Sequence, residues 1–242
     1  MNHNKKDILK PHISAVIVYG GNYDKMLFEK AKKSVSWCGE TVLIEGKEKG
    51  FSDWRNEGLR KAKGEWILYL DSDEEVTNEL KKEILQLIEN TQKVKCYAIP
   101  RQNIIFSKEF KHSGQYPDYQ IRLFKKENLI EWAGDLHEQP KYIGRLGYLK
   151  NCIVHHKNMT VSQMIEKTNK WSEIEAKLMF DDNHPKMNML RFFTAGFREF
   201  ILRFVKQKAF LDGREGVVYG IYQIYSRLIS YSKLWEMQIA QK

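Results

Sequence analysis

The sequence predicts an α/β domain, a mostly parallel sheet with helices on both faces, followed by a C-terminal helical region. Three observations lead there. As far as Asn90, short apolar, β-branched runs alternate with helix-period stretches across short connections, the pattern of parallel strands joined by right-handed crossovers. The third run ends abruptly in two carboxylates, Asp71-Ser72-Asp73. From Thr160 onward only helical spacing recurs.

The elements follow in order. His12–Tyr19 is a β-branched run closed by Gly20-Gly21, a strand with a turn at its carboxyl end. Asp24–Val35 carries Met26, Leu27, Ala31 and Val35 at helical spacing. Thr41–Glu45 is a second strand, ending in a carboxylate before Gly46; Trp54–Ala62 is a short helix that Gly64 ends. Trp66–Leu70 is the third strand, and Thr77–Asn90 a helix with Leu80, Ile84, Leu87 and Ile88 on one face. Beyond it, Lys95–Pro100 and Tyr119–Lys125 read as strands flanking a polar, aromatic loop, Arg101–Asp118; loops of that length are commonly functional. Asn151–Val154 is the last strand and runs into His155-His156. Val161–Phe180, Met187–Phe210 and Gly216–Met237 read as helices, the first ended by Asp181–Pro185. The expected division is an α/β domain over 1–158 and a helical region over 159–242.

Composition narrows the class. The 242 residues hold 42% apolar and 29% charged side chains, enough for one α/β domain with an appendage and unlike a disordered chain. Cys38, Cys96 and Cys152 are odd in number and have no CxxC spacing, so neither a disulfide framework nor a zinc cluster is expected and a reducing cytosol fits. Met1–Lys10 is polar and basic, unlike a signal peptide. No run of about 18 apolar residues exists, so no spanning helix is expected. A net charge of +9 favours a polyanionic partner such as nucleic acid, an anionic membrane or a phosphorylated substrate.

Asp71 and Asp73 carry the chemistry. Ligands of open α/β sheets bind outside the carboxyl ends of strands. On extended backbone two residues apart, both side chains point to one side. Two hard carboxylates there suit Mg²⁺ or Mn²⁺ with sites left for phosphate oxygens. The competing reading is that Asp73, Glu74 and Glu75 merely place negative charge before the next helix.

Four segments together resemble a known family: Arg55-Asn56-Glu57-Gly58 with Ala62-Lys63-Gly64; Leu70-Asp71-Ser72-Asp73-Glu74; His112 through Phe124, including Tyr116-Pro117-Asp118-Tyr119-Gln120-Ile121-Arg122; and Leu136-His137-Glu138. A later Phe210-Leu211-Asp212-Gly213 adds to the likeness. The chain resembles inverting glycosyltransferases of family 2, and more narrowly the short bacterial lipopolysaccharide core β-glucosyltransferases. The resemblance runs from Ile13 to Leu234. It implies the GT-A fold, a Rossmann-like nucleotide-diphospho-sugar transferase architecture. It also implies a metal-dependent hexosyltransferase of cell-envelope biosynthesis, with a nucleotide sugar (first a UDP-sugar) as donor and a glycan or lipid-linked acceptor.

Residue by residue, the resemblance implies a donor site from Asp53, Arg55, Asn56, Glu45 and Asp71, Asp53 matching the acidic residue that contacts the base. Asp73 is the direct metal ligand, with Asp71 on the ribose or reaching the metal through water. His155 or His156 adds an imidazole ligand, which Mn²⁺ accepts more readily than Mg²⁺. The base that deprotonates the acceptor hydroxyl is Glu138 first, Asp118 second and Asp135 third; the competing role for Glu138 is an ion pair with Arg122 or a lysine. Trp132, His137 and Tyr116 fall on the acceptor side, and His137 alternatively orients Glu138 or touches phosphate. Two loops depart from the family pattern, Gly20-Gly21-Asn22-Tyr23 and the shortened Glu45–Gly50, so the donor stays open.

The helix from Met187 sets Arg191, Arg198, Arg203 and Lys206 mainly opposite Met189, Leu190, Phe193, Phe197, Phe200, Ile201 and Phe204. Such helices lie on the cytoplasmic face of an anionic membrane or pack on the domain with the basic side to water. A peripheral place at the inner face follows from the first. Alternatives are a basic membrane- or nucleic-acid-binding protein with a degenerate transferase site, or a nucleotidyltransferase. No nucleic-acid motif is present, and nucleic acid is not expected as a partner.

Overall fold

The computed structural model describes residues 12–21, 23–46, 50–90, 94–134, 138–157 and 159–240. They fall into two compact units, one of residues through Arg101 with Asp118–His156, the other of Gln102–Pro117 with Lys157 onward. Segment 102–117 therefore groups with the helices and not with the sheet that precedes it.

The first unit opens as an alternating α/β layer: β1 (Ile13–Gly20), α1 (Lys25–Ser34), β2 (Glu40–Gly46), α2 (Phe51–Lys61) and β3 (Trp66–Asp71). β1 pairs in parallel with both β2 and β3. Alternate residues of β1 go to opposite faces, as strand geometry requires. Ile13, Ala15 and Ile17 meet Phe28 and Ala31 of α1, Val35 just past its end, and Leu80 and Ile84 of α3 (Asn78–Asn90). Val16 and Val18 join Ile67, Tyr69 and Phe124 on the other face. Burial on both faces explains why β1 and β3 read as unbroken apolar runs.

Past α3 the connections lose their helices and the sheet turns antiparallel. β7 (Asp118–Lys125) enters between β3 and β5 (Val94–Ile105), antiparallel to each. β10 (Arg145–Tyr148) runs parallel beside β5, and β8 (Leu129–Ala133) pairs with β9 (Gln139–Tyr142) as a separate hairpin. β4 (Glu74–Val76) pairs with β11 (Ile153–Lys157), matching His155 to Glu74. None of β4, β8, β9 and β10 stands out in the sequence, because each is three to five residues long and makes its ladder with a partner elsewhere.

The second unit holds the rest. The expected loop after Arg101 is partly strand: β5 continues to Ile105 and returns as β6 (Lys108–Glu109). Asp212, 3% exposed, accepts hydrogen bonds from the amides of Lys111 and His112 and, at 2.6 Å, from the Ser113 hydroxyl. α4 (Val161–Asp181) packs on α6 (Gly213–Ala240) through Ala176 and Leu234, and the Thr168 and Tyr222 hydroxyls meet at 2.6 Å. The helix expected over 187–210 is not continuous. α5 (Met189–Phe200) passes into a π-helical turn over Ile201–Lys206, then Lys208 takes a left-handed conformation before a 3₁₀ turn, Ala209–Asp212. Neither Gly nor Pro marks that break. Among the described residues no helix is long and apolar enough to cross a membrane. Cys38 and Cys96 are buried and Cys152 half-buried, and none of the three is in a disulfide.

Candidate active site

The site grows from α2. A Cβ on Gly58 would lie 2.3 Å from Cγ1 of Val16, so the helix rests on β1 as closely as a glycine permits. One turn earlier, Arg55 is carried into the interior, 2% exposed. Its guanidinium lies 4.7 Å over the Trp132 ring, a favourable cation–π arrangement. Asn56 braces the same strand: its amide donates to the Trp132 carbonyl and accepts from the Trp132 amide, both at 2.8 Å.

At the carboxyl end of β3, Asp71 receives Nη2 of Arg55 at 2.8 Å and Nη2 of Arg122, from β7, at 2.5 Å. Burial by itself would raise the Asp71 pKa. The charges of Arg122, Arg55 and Arg101 outweigh it and hold the carboxyl well below the usual carboxylate range. Burial would likewise lower Arg122, but Asp71 and Glu74 drive its pKa above the ordinary guanidinium value. Arg55 goes the other way, pulled down by burial even though Asp71 opposes it.

Glu74 is wholly buried and turns back into this cluster. Its Oε2 accepts the Asp71 amide at 2.9 Å, and its Oε1 faces Arg122 at 3.1 Å and Arg101 at 3.3 Å. Thr77 instead caps α3, accepting the amide of Leu80 at 3.1 Å. The helix-capping reading of these acids therefore does not describe Glu74.

Extended backbone stops at Asp71, and Ser72-Asp73 form a turn into β4. The two-residue alternation that would aim Asp71 and Asp73 together does not apply across a turn. Asp71 meets arginines, whereas Asp73 Oδ2 lies 3.5 Å from Nε2 of His155. His156 goes to Glu75, at 3.7 Å, so the histidines separate as neighbours on a strand do. Among the described residues no three Asp, Glu, His or Cys side chains group as a ligand set. The Asp73–His155 pair offers one oxygen and one nitrogen donor, types that Mn²⁺ accepts.

Glu138 stands on the loop between β8 and β9, half-buried. Its Oε1 is 3.3 Å from Nη2 of Arg55; among the described residues the ion pair is with Arg55, not with Arg122 or a lysine. Asp118 is more fully engaged, with Oδ2 at 2.6 Å and 2.9 Å from Arg101 and Oδ1 accepting Gln120 at 2.8 Å. Asp135 and His137 lie outside the described residues, as do Asn22 and Lys47–Lys49 of the two departing loops. Asp53 is exposed in the first turn of α2, and Glu45 is exposed at the end of β2. Tyr116 is exposed and belongs to the second unit.

A cavity of about 570 Å³ gathers Arg55, Asp71, Arg101, Arg122, Trp132 and Glu138 on its walls, a volume typical of small-ligand sites. Nε and Nη1 of Arg55 and Nε of Arg122 are buried with no hydrogen-bond partner among the described residues. Tyr119 and Tyr148 also line it, 43% and 62% exposed, with rings edge to face at 5.1 Å. Trp132, expected on the acceptor side, is 5% exposed and packs on Tyr69 and Phe124. Sequence reasoning passed over Arg101, Tyr119 and Tyr148. Tyr119 sits in a motif already singled out, but Tyr148 has no signal beyond an aromatic near a glycine.

Residues 24–144 match the family model described as "Glycosyl transferase family 2". An uncharacterized glycosyltransferase of Rickettsia typhi is 22% identical over 190 residues, 74% of this chain and 64% of the relative. The chain thus spans under two thirds of that relative's length. A second, from Rickettsia conorii, is 21% identical over the same share of the chain. Among solved structures, S. aureus TarS 1-349 in complex with UDP-GlcNAc aligns over 95% of this chain and 92% of its own, with 12% identity and a TM-score of 0.42.

Proposed function

This chain belongs to glycosyl transferase family 2, and from that premise we propose that it transfers a sugar, with inversion, from a nucleotide-diphosphate sugar to a glycan or lipid-linked acceptor. Its α/β fold is the GT-A fold of that family. The observation that carries the reading is Arg55, buried between Asp71 and Glu138 on the wall of one cavity.

Glu138 takes the proton from the acceptor hydroxyl. The acceptor oxygen bonds to the anomeric carbon as the bond from that carbon to the diphosphate breaks, and the electron pair leaves with the nucleoside diphosphate. Arg55, 3.3 Å away, aims the Glu138 carboxylate. Asp118, tied to Arg101 and Gln120, is the second candidate. Asp53, Glu45 and Asp71 serve the donor, and Asp73 with His155 would hold a divalent ion. That ion would neutralise charge on the departing diphosphate. Tyr119 and Tyr148 offer ring faces and hydroxyls to an acceptor sugar, amphipathic as aromatic contact surfaces are. The acceptor belongs to surface polysaccharide or lipopolysaccharide core, which puts the protein at the cytoplasmic face of the membrane.

The test is thermal stabilisation by a panel of nucleotides and nucleotide sugars, with and without Mn²⁺, followed by product analysis. One nucleotide class should raise the melting point in a metal-dependent way, since a ligand of the folded state stabilises by mass action, and turnover should release the nucleoside diphosphate. Absence of any shift would overturn the reading. Release of pyrophosphate would replace it with a nucleotidyltransferase.

A further inference from the structure

The second unit carries an apolar stripe turned to solvent. On α5, Met189, Leu190, Phe193, Phe197 and Phe200 fall within an arc of about 100° on a 3.6-residue helix. The first four are 70%, 72%, 71% and 67% exposed. The opposite side is the one that packs. Ala195 and Glu199 are buried, Phe192 joins Leu234 and Met237, and Gly196 abuts Leu228 of α6. Exposed apolar faces of this kind mark contact with a partner or a membrane.

Charge chooses between them. Between His184 and Phe210 the chain has six lysines and arginines and a single acid, Glu199. That acid is buried and bound to Arg203 at 2.7 Å. Lys186, Arg191, Arg198, Lys206 and Lys208 are all exposed, and Arg191 and Arg198 border the stripe on its open side. Two copies meeting on this face would bring the same cations toward each other, with no exposed acid on α5 to pair them. An anionic bilayer answers both features at once: the stripe enters the acyl boundary while the cations stay among headgroups.

We propose that α5 is an interfacial membrane anchor for bilayers containing anionic lipid, with Phe193 and Phe197 at the centre of the inserted face. This rests on the membrane placement proposed above and assigns it to one helix.

Flotation of the full chain with vesicles tests it. Phosphatidylcholine vesicles should bind little; vesicles with added phosphatidylglycerol should bind strongly. Phe193→Glu with Phe197→Glu should weaken that binding about tenfold or more, and Arg191→Gln with Arg198→Gln should weaken it and flatten its salt dependence. Because these side chains are exposed, melting temperatures should match wild type; Leu190→Gln is a milder second probe of the same face. Binding that the phenylalanine variants retain would overturn the assignment, as would wild type that ignores anionic vesicles. So would a dimer that these variants dissociate. Nucleotide-induced stabilisation, measured on the same samples, separates the two proposals: its loss in wild type defeats the transferase reading, whereas vesicle binding judges α5 alone.

Discussion

Glu138 and Arg55 meet at 3.3 Å across 83 residues of sequence. The arginine is fully interior, and the glutamate stands half-open on a loop. A carboxylate so placed can accept a proton and still be aimed by a fixed cation. Glu138→Gln keeps the shape and removes the basicity. Turnover should fall at least about a hundredfold, with donor affinity from nucleotide titration little changed. Turnover equal to wild type would pass the role to Asp118.

Asp73→Ala should abolish the metal-dependent part of nucleotide stabilisation while the unliganded melting temperature holds, because Asp73 lies in a turn with 42% of its side chain exposed. Chelation of the wild type should give the same result. A shift that survives both treatments would remove Asp73 and His155 from metal binding.

Tyr148→Ala and Tyr119→Ala should raise the acceptor KM several-fold and leave donor affinity alone. Each removes one of the two edge-to-face rings from the cavity rim. Steady-state kinetics with varied acceptor decides it; an effect on kcat alone would argue against a binding surface.

Glu40 gives a test of stability away from the site. Its Oε1 accepts the Ser14 hydroxyl and the Lys63 amide, both at 2.5 Å. Burial would raise its pKa, but these donors and the Gly64 amide hold it below the ordinary value. A depressed carboxylate stabilises above its unfolded pKa, about 4.3, and loses that contribution as pH falls through the folded value. Glu40→Gln should therefore cost about 1 kcal/mol at neutral pH, and urea unfolding should show the gap closing in acid. A gap independent of pH would refute the assignment.

Gly58→Ala should destabilise by about 1–3 kcal/mol, since its Cβ would press on Val16. Adding Val16→Ala should recover part of the loss. Both are readable by denaturant unfolding, and a stable single variant would show that α2 can lift from β1.

Much of this was legible in the chain. The alternation that yields β1, α1, β2, α2 and β3 is a local property, because strand and helix periods are written in consecutive residues. The end of β3 at Asp71 was visible for the same reason. Glu74 was not: its neighbours suggested a helix start, and only the register of β4 on β11 turned it toward Arg122 and Arg101. Asn56 matched a family motif, yet its amide is committed to the backbone of Trp132, 76 residues away.

The helical region shows the limit most clearly. The sequence by itself determined that α5 has an apolar and a basic side, because amphipathicity is set by composition along a 3.6-residue period. Only the tertiary structure decided that the apolar side is left open, since packing of Ala195 and Phe192 fixes which face is covered. The same holds at the site. Local sequence placed a carboxylate at the end of a strand and an arginine on a helix. Their meeting, and that of Arg55 with Glu138, is a long-range contact fixed by how closely α2 settles on β1.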